Sequence, residues 1–183
     1  MEGFESILGA ARAGADWAWD RIYRELAPSV RGYVRAHGAA EPDDLVGEVF
    51  LALVRELPRF QGDERDFRAF AFTIAHRRLV DELRRRGRRP VTPTEPEILA
   101  ETAGSGGDVA DEAMAGIDEA RVRTLIEDLP PDQREVLLLR ILGDLTIEEI
   151  ARTLGKRAGA VKALQRRALK RVQGAYPFED ARR

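Results

Sequence analysis

LTIEEIARTLGKRAGAVKALQRRALKRV, residues 145–172, holds two helical patterns separated by Gly155. Thr146 followed three residues later by Glu149 makes a capping box, in which each side chain satisfies the other's free backbone N–H. Ile147, Ile150, Ala151 and Leu154 form the apolar stripe, and Gly155 supplies the left-handed stop. Beyond a tight connection, Val161, Leu164, Ala168 and Val172 recur on one face, leaving Lys162, Gln165, Arg166 and Lys170 on another. The pattern predicts a helix-turn-helix, whose second helix fits a DNA major groove. Its lysines and arginines attract phosphates, and Lys162 and Gln165, near its start, are better placed for base edges than Lys170 or Arg171. The competing reading is a helical hairpin with a solvated basic face. Capping box, glycine turn and an acid-free second helix occurring together favour DNA. Arg157 stands where an N-cap Ser or Asp is expected, so this helix begins poorly capped.

Outward from this stretch, charge is sorted by segment. The 183-residue chain carries a formal charge of -2, a sum that conceals the sorting. Arg84, Arg85, Arg86, Arg88 and Arg89 crowd together, whereas residues 90–120 hold acids and no lysine or arginine. After Glu149 the next acid is Glu179. The stretch PVTPTEPEILAETAGSGGDVADEAMAG lacks a sustained apolar period and reads as a linker. The boundaries that follow are 17–89, a linker at 90–118, and 119–175.

Both flanking blocks read as helical. Trp19, Ile22, Tyr23, Leu26, Val30, Tyr33 and Val34 recur at three and four residue steps, as do Leu45, Val49, Leu53 and Leu57. Pro42 and Asp43 start a helix that Pro58 ends, and FRAFAFTIAHRRLVDELRRR predicts a long helix with Phe70, Ile74 and Leu83 facing inward. The expected class is all-α: two small helical domains joined by a flexible acidic linker, with three or four helices in the first and four short ones, including the helix-turn-helix, in the second. Hydrophobic residues at 44% are enough for globular cores. The chain has no cysteine, hence no disulfide or thiolate site, and no apolar run nears the roughly 18 residues of a membrane span. No phosphate-binding glycine loop, nucleophile elbow or HExxH motif supports an enzyme. The expectation is a cytoplasmic, non-catalytic protein with no cofactor, no metal and no membrane insertion; His76 lacks a partner at ligand spacing.

In the first block, Phe60, Phe67, Phe70 and Phe72 are interleaved with Arg59, Arg65, Arg68, Arg77, Arg78 and Arg84. Such interleaving suits unpaired bases, which stack on aromatic faces while arginines hold phosphates. Phe70 and Ile74, at helical spacing, read first as core; for Phe60, in a loop with Gln61, Gly62 and Asp63, both readings stand.

The order of these parts resembles the bacterial extracytoplasmic-function (ECF) sigma factors, the smallest class of RNA polymerase specificity subunits. EPDDLVGEVFLALVREL is similar to the family's acidic-aliphatic helix, RFQGDERDFRAFAFTIAHRRLVDELRRR to its promoter-melting segment, and residues 129–172 to its minus-35-reading domain. The resemblance implies a protein that binds core RNA polymerase and directs promoter recognition, melting and initiation. It implies docking of Asp43, Asp44, Leu45, Glu48, Val49 and Leu51 on the clamp helices of the largest subunit, with the second domain on the flap. It implies minus-10 contacts to single-stranded DNA by Phe60, Gln61, Gly62, Asp63, Phe67, Arg68, Phe70, His76, Arg77, Asp81, Arg84 and Arg85. Minus-35 contacts to duplex DNA would come from Arg157, Ala160, Lys162, Ala163, Gln165, Arg166 and Lys170. The acidic linker would thread a basic polymerase channel, and an anti-sigma partner is a further expectation. Two departures matter. The family's recognition helix often begins Ser, Glu, Gly-Thr-Val-Lys, where this chain has Arg157, Ala158, Gly159, Ala160, Val161 and Lys162, and its melting helix commonly carries a tryptophan where Phe70 or Phe72 stands. The alternative function is a stand-alone helix-turn-helix regulator that binds duplex DNA without polymerase.

Overall fold

The computed structural model describes residues 3–88, 124 and 126–175. These form seven α-helices and one 3-10 turn, with no strand among the described residues. Helix α1 spans Phe4–Arg12 and α2 Asp16–Ala36. Helix α3 spans Pro42–Glu56, with Pro42 at its start and Asp43 and Asp44 in its first turn, where a missing N–H costs nothing and acids meet the positive end of the dipole. The 3-10 turn Leu57–Arg59 holds Pro58 and ends α3, and Phe60 then takes an extended conformation. Helix α4 spans Glu64–Arg88, followed in the described chain by α5 (Pro131–Ile141), α6 (Ile147–Leu154) and α7 (Ala158–Ala175).

The first block packs α1 against α2, and α2 and α3 against each other and α4. Leu45, Val49, Leu53 and Leu57 are all buried, as their spacing predicts. Tyr23, read as part of the α2 stripe, is instead 42% exposed. In α4 the inward face also differs from the expected one. Phe67, Ala71, Phe72, Ala75 and Leu79 are buried along with Ile74, while Phe70 is half-buried and Leu83 exposed. The reason is that α4 is covered from two sides. Phe67 meets Phe4 of α1, with ring centroids 5.8 Å apart, whereas Phe72 meets Tyr33 of α2 edge-on at 5.7 Å and lies beside Gly143 of the second block. A one-stripe reading of α4 therefore misses half its core. Helix α1 was absent from the expected set, although Phe4, Ile7, Leu8 and Ala11 bury the regular stripe of an amphipathic helix.

Among the described residues the second block contains three full helices, preceded by helical residues 124, 126 and 127; the rest of the fourth helix expected there lies outside the described residues. The Arg134 guanidinium closes the end of that preceding turn by donating to the carbonyls of Ile126, Glu127 and Leu129. Helices α5 and α6 both pack on α7, where Val161 and Ala168 are fully buried. Buried residues of the two blocks join in one apolar cluster that runs from Phe4 to Val161 and includes Phe72, Val136, Leu139 and Ile150.

Gly143 sits at a tight point beside this cluster. A Cβ added there would sit 2.5 Å from Leu145 Cδ1, 2.6 Å from the Leu139 carbonyl oxygen and 3.3 Å from Phe72 Cγ. The carbonyl belongs to helix backbone and cannot step aside. Gly143→Ala is expected to destabilise the protein by about 2–3 kcal/mol, the upper part of the range for overpacking. Denaturant unfolding of the two proteins side by side measures this, and an unchanged midpoint would show that the turn after α5 relaxes freely.

Candidate nucleic-acid interface

The helix-turn-helix forms as its sequence dictates. The Thr146 hydroxyl accepts from the Glu149 N–H at 3.2 Å, and Glu149 Oε2 accepts from the Thr146 N–H at 2.6 Å. Gly155 closes α6 at φ 63°, a conformation that costs glycine nothing. The carbonyl of Arg157 accepts the first helical bonds, from Ala160 and Val161, so an arginine that can accept no cap bond with its side chain stands at the start of α7. Arg157, Ala160, Lys162, Arg166 and Lys170 are exposed, and Ala163 and Gln165 half-buried. Lys162, Gln165, Arg166, Leu169, Lys170 and Gln173 line one shallow depression on the outer side of α7. The first turn holds no acid, and none of Lys162, Arg166 and Lys170 forms an ion pair among the described residues. An uncompensated cationic stripe on an outward helix is what phosphate binding requires.

The residues expected at single-stranded DNA divide into two sets. Gln61, Gly62, Asp63, Arg77, Asp81, Arg84 and Arg85 are exposed, and Phe60, Arg68 and Phe70 half-buried. Phe67, in contrast, is fully buried between Phe4 and Phe60 and cannot receive a base; it is core. His76 is half-buried and already engaged within the protein. Its Nδ1 lies 3.1 Å from the Tyr33 hydroxyl and 3.0 Å from Glu135 Oε1, so it joins α2, α4 and α5. Burial pushes the Tyr33 phenol well above its ordinary pKa, with the Glu135 carboxylate adding to the shift, and burial lowers that of His37, whose ring packs on Tyr33.

The aromatic loop and the α4 face beside it look onto α6. Thr73 Oγ1 donates to the Ala69 carbonyl at 2.8 Å, so Thr153, whose Oγ1 is 2.9 Å away, is the donor between the blocks. Glu149 Oε1 lies 3.5 Å from Arg65 Nε, giving the capping-box carboxylate a second partner in the first block. The cleft left between them is lined by Phe60, Gln61, Phe70, Thr73 and Arg77 on one wall and by Glu149, Arg152 and Thr153 on the other. That these two surfaces face each other was not legible from local pattern, since the contact joins residues far apart in the chain.

On α3, Leu45 and Val49 are buried and build core rather than surface, a correction to their expected docking role. Asp43 accepts from Arg31 Nε at 2.6 Å, Glu48 Oε2 lies 3.8 Å from Arg78 Nη1, and Asp44 has no ion-pair partner among the described residues. Leu51 is 58% exposed. It shares an open apolar groove with Trp19, Tyr23, Gly47, Phe50 and Val54. Tyr23 and Val54 were missed as surface, with Trp19 half-buried and Phe50 buried at the groove floor. The signal was a second apolar stripe, Gly47, Phe50, Leu51 and Val54, turned away from the Leu45, Val49 and Leu53 stripe.

An all-α chain with an uncompensated recognition helix and an aromatic-arginine block is a DNA-binding transcription protein. Residues 22–89 match the family Sigma-70 region 2, and residues 119–172 match Sigma-70, region 4. The chain is 34% identical over 180 residues to the ECF RNA polymerase sigma factor SigD of Mycobacterium tuberculosis (strain ATCC 25618 / H37Rv), covering 94% of this chain and 83% of that one. It is 32% identical over 149 residues to the ECF RNA polymerase sigma-E factor of Escherichia coli (strain K12), covering 78% and 76%. The chain belongs to the ECF RNA polymerase sigma factors. Its function is accordingly that of a polymerase-binding promoter-recognition subunit, and the stand-alone regulator is set aside. The fold also resembles that of CnrH in complex with the cytosolic domain of CnrY, with TM-score 0.64 and 21% identity over 97% of this chain and 99% of that one. RpoE in complex with the anti-sigma factor NepR from Bartonella quintana gives TM-score 0.64 and 18% identity over 87% and 97%. No helix among the described residues is long and apolar enough to cross a membrane.

Proposed function

We propose a division of labour among three surfaces, none of them catalytic. The groove on α2 and α3, whose lining includes the acidic Asp20, docks on the clamp helices of core polymerase, with Asp44 and Glu48 of α3 as further acidic contacts. The Phe60 to Asp63 loop receives a melted minus-10 base, with Arg68, Arg77, Arg84 and Arg85 along α4 as phosphate partners. The outer side of α7 reads duplex minus-35 DNA through Lys162, Gln165 and Arg166, while the second block rests on the flap. The observation that carries this reading is the coexistence of an apolar, acid-bordered groove and an unpaired cationic stripe on one chain, since one suits a protein and the other a polyanion. The groove supports docking because Leu51, Val54 and Tyr23 expose a contiguous apolar patch of the kind that marks an interface.

The division at 17–89, 90–118 and 119–175 serves as the working boundary set, with α1 added to the first domain. The acidic segment at 90–118 lies outside the described residues, and its passage through a basic polymerase channel stands as a proposal on charge alone. An anti-sigma partner is part of the proposal because RpoE, a neighbour in fold, is known in such a complex. All of this takes place in the cytoplasm, where core polymerase is.

Co-migration with core RNA polymerase on size exclusion tests the docking surface. The native chain is expected to co-migrate, and Asp44→Lys/Glu48→Lys to lose association while keeping its helical circular dichroism, because two reversed charges at a docking rim repel a complementary partner. Undiminished association of that variant would remove the α3 rim from the interface.

A further inference from the structure

Helix α1 lies outside the region 2 match, which begins at residue 22, yet it is built into the aromatic loop. Its last residue, Arg12, donates from Nη2 to the Phe60 carbonyl oxygen at 2.5 Å. Its first, Phe4, packs on Phe67, which meets Phe60 edge-on at 5.3 Å, and Phe60 in turn stacks on Phe70 at 5.4 Å with 25° between the planes. Trp19 Nε1 donates to the Ala11 carbonyl at 3.2 Å and so fixes the end of α1 that carries Arg12.

The far end of the loop is tied separately. The Asp66 N–H donates to Asp63 Oδ1 at 2.9 Å and the Asp63 N–H to Asp66 Oδ2 at 3.2 Å. Gly62, at φ 148°, has room for no side chain, since a Cβ would lie 2.6 Å from Asp66 Cβ. The loop is therefore held at its downstream end by α4 itself and at its upstream end by the guanidinium of Arg12. Buried apolar contact anchors the α1 stripe, whereas Arg12 is exposed and contributes one charge-assisted bond to one carbonyl. Its effect falls on where Phe60 and Gln61 sit rather than on whether the domain folds.

We propose that Arg12 of α1 is a positioning residue for minus-10 recognition, setting the backbone of the Phe60 to Asp63 loop and so which unpaired base it accepts. This rests on the proposed role of the loop. A recognition element held loosely by even an ångström loses selectivity.

The test uses the full chain with core RNA polymerase and a promoter library randomised at the minus-35 and minus-10 elements, transcribed in vitro and sequenced. The native chain is expected to enrich bases at both elements. With Arg12→Ala, discrimination at one or more minus-10 positions is expected to fall about ten-fold, with minus-35 preferences, core co-migration and melting temperature unchanged. Arg12→Lys, which keeps the charge and a donor, recovers part of the lost discrimination. A minus-10 profile identical to the native one would overturn the proposal. A parallel loss of minus-35 preference, core binding or melting temperature would overturn it equally, showing a structural role only. If the native holoenzyme itself shows no minus-10 preference, the loop reading fails first, and that outcome is separate from either result for Arg12.

Discussion

Oxidised Thr73→Cys/Thr153→Cys protein, bound to core polymerase, is expected to open promoters at least about a hundred-fold less well than the same protein after reduction. The two hydroxyl oxygens are 2.9 Å apart in the native chain, and a disulfide asks for sulfurs about 2.05 Å apart on Cβ atoms roughly 3.8 Å apart. Since the chain has no cysteine of its own, the introduced pair is the only disulfide that can form within one molecule. The bond would hold α4 against α6 and keep the wall formed by Phe60, Phe70, Thr73 and Arg77 facing Glu149 and Arg152. On the proposed minus-10 and minus-35 surfaces, promoter geometry forbids that arrangement. Elements about 25 base pairs apart are separated by roughly 85 Å of B-DNA at ~3.4 Å per step, far more than two surfaces in contact can span. The proposed linker, 90–118, is long enough to permit separation, with a maximum contour of about 95–105 Å at ~3.3–3.6 Å per residue. Permanganate footprinting of melted thymines, with each single-cysteine variant as control, reads the outcome. Equal opening by oxidised and reduced protein would mean that the contact is compatible with transcription and that α4 meets DNA by some other face.

The parts of this fold that were legible in the sequence are those whose determinants are local. Thr146, Glu149 and Gly155 satisfy backbone groups within their own helix, so their spacing alone specifies α6 and the turn into α7. The Leu45, Val49 and Leu53 stripe is equally local, and it is buried as read. What went unread depends on partners remote in sequence. Phe67 and Phe72 lie on different sides of α4, and only the arrival of α1 on one side and of Gly143 on the other makes both of them core. His76 offers an imidazole that suits solvent, DNA or an acid equally well, and Glu135, from the other block, decides among them. Tyr23 and Trp19 continue the apolar period of α2 but face the groove beside Leu51. Periodicity counts apolar residues without saying which of two apolar stripes is left for a partner.

Replacing Lys162 and Arg166 together with alanine is expected to weaken minus-35 binding by about 2–4 kcal/mol, roughly thirty- to a thousand-fold, while core association is kept. The expected loss is electrostatic first. Both side chains are exposed on the outer side of α7, and neither is in an ion pair among the described residues, so no internal interaction is lost with them. Each phosphate contact removed should lower the slope of log affinity against log salt by about 0.9. The double variant should therefore bind as salt-insensitively as a protein making one or two fewer contacts, depending on whether Arg166 reaches a phosphate or a base. A bidentate arginine to guanine would instead relax base preference at one position and leave the slope nearly as steep as in the single Lys162→Ala variant. Titrating polymerase-bound native and variant chains against a fixed minus-35 duplex at several salt concentrations separates the two. Undiminished affinity would dismiss α7 as the reading helix. Buried Val161 and Ala168 stay untouched, so the variant should fold normally, and any weakening then reports on the cationic face alone.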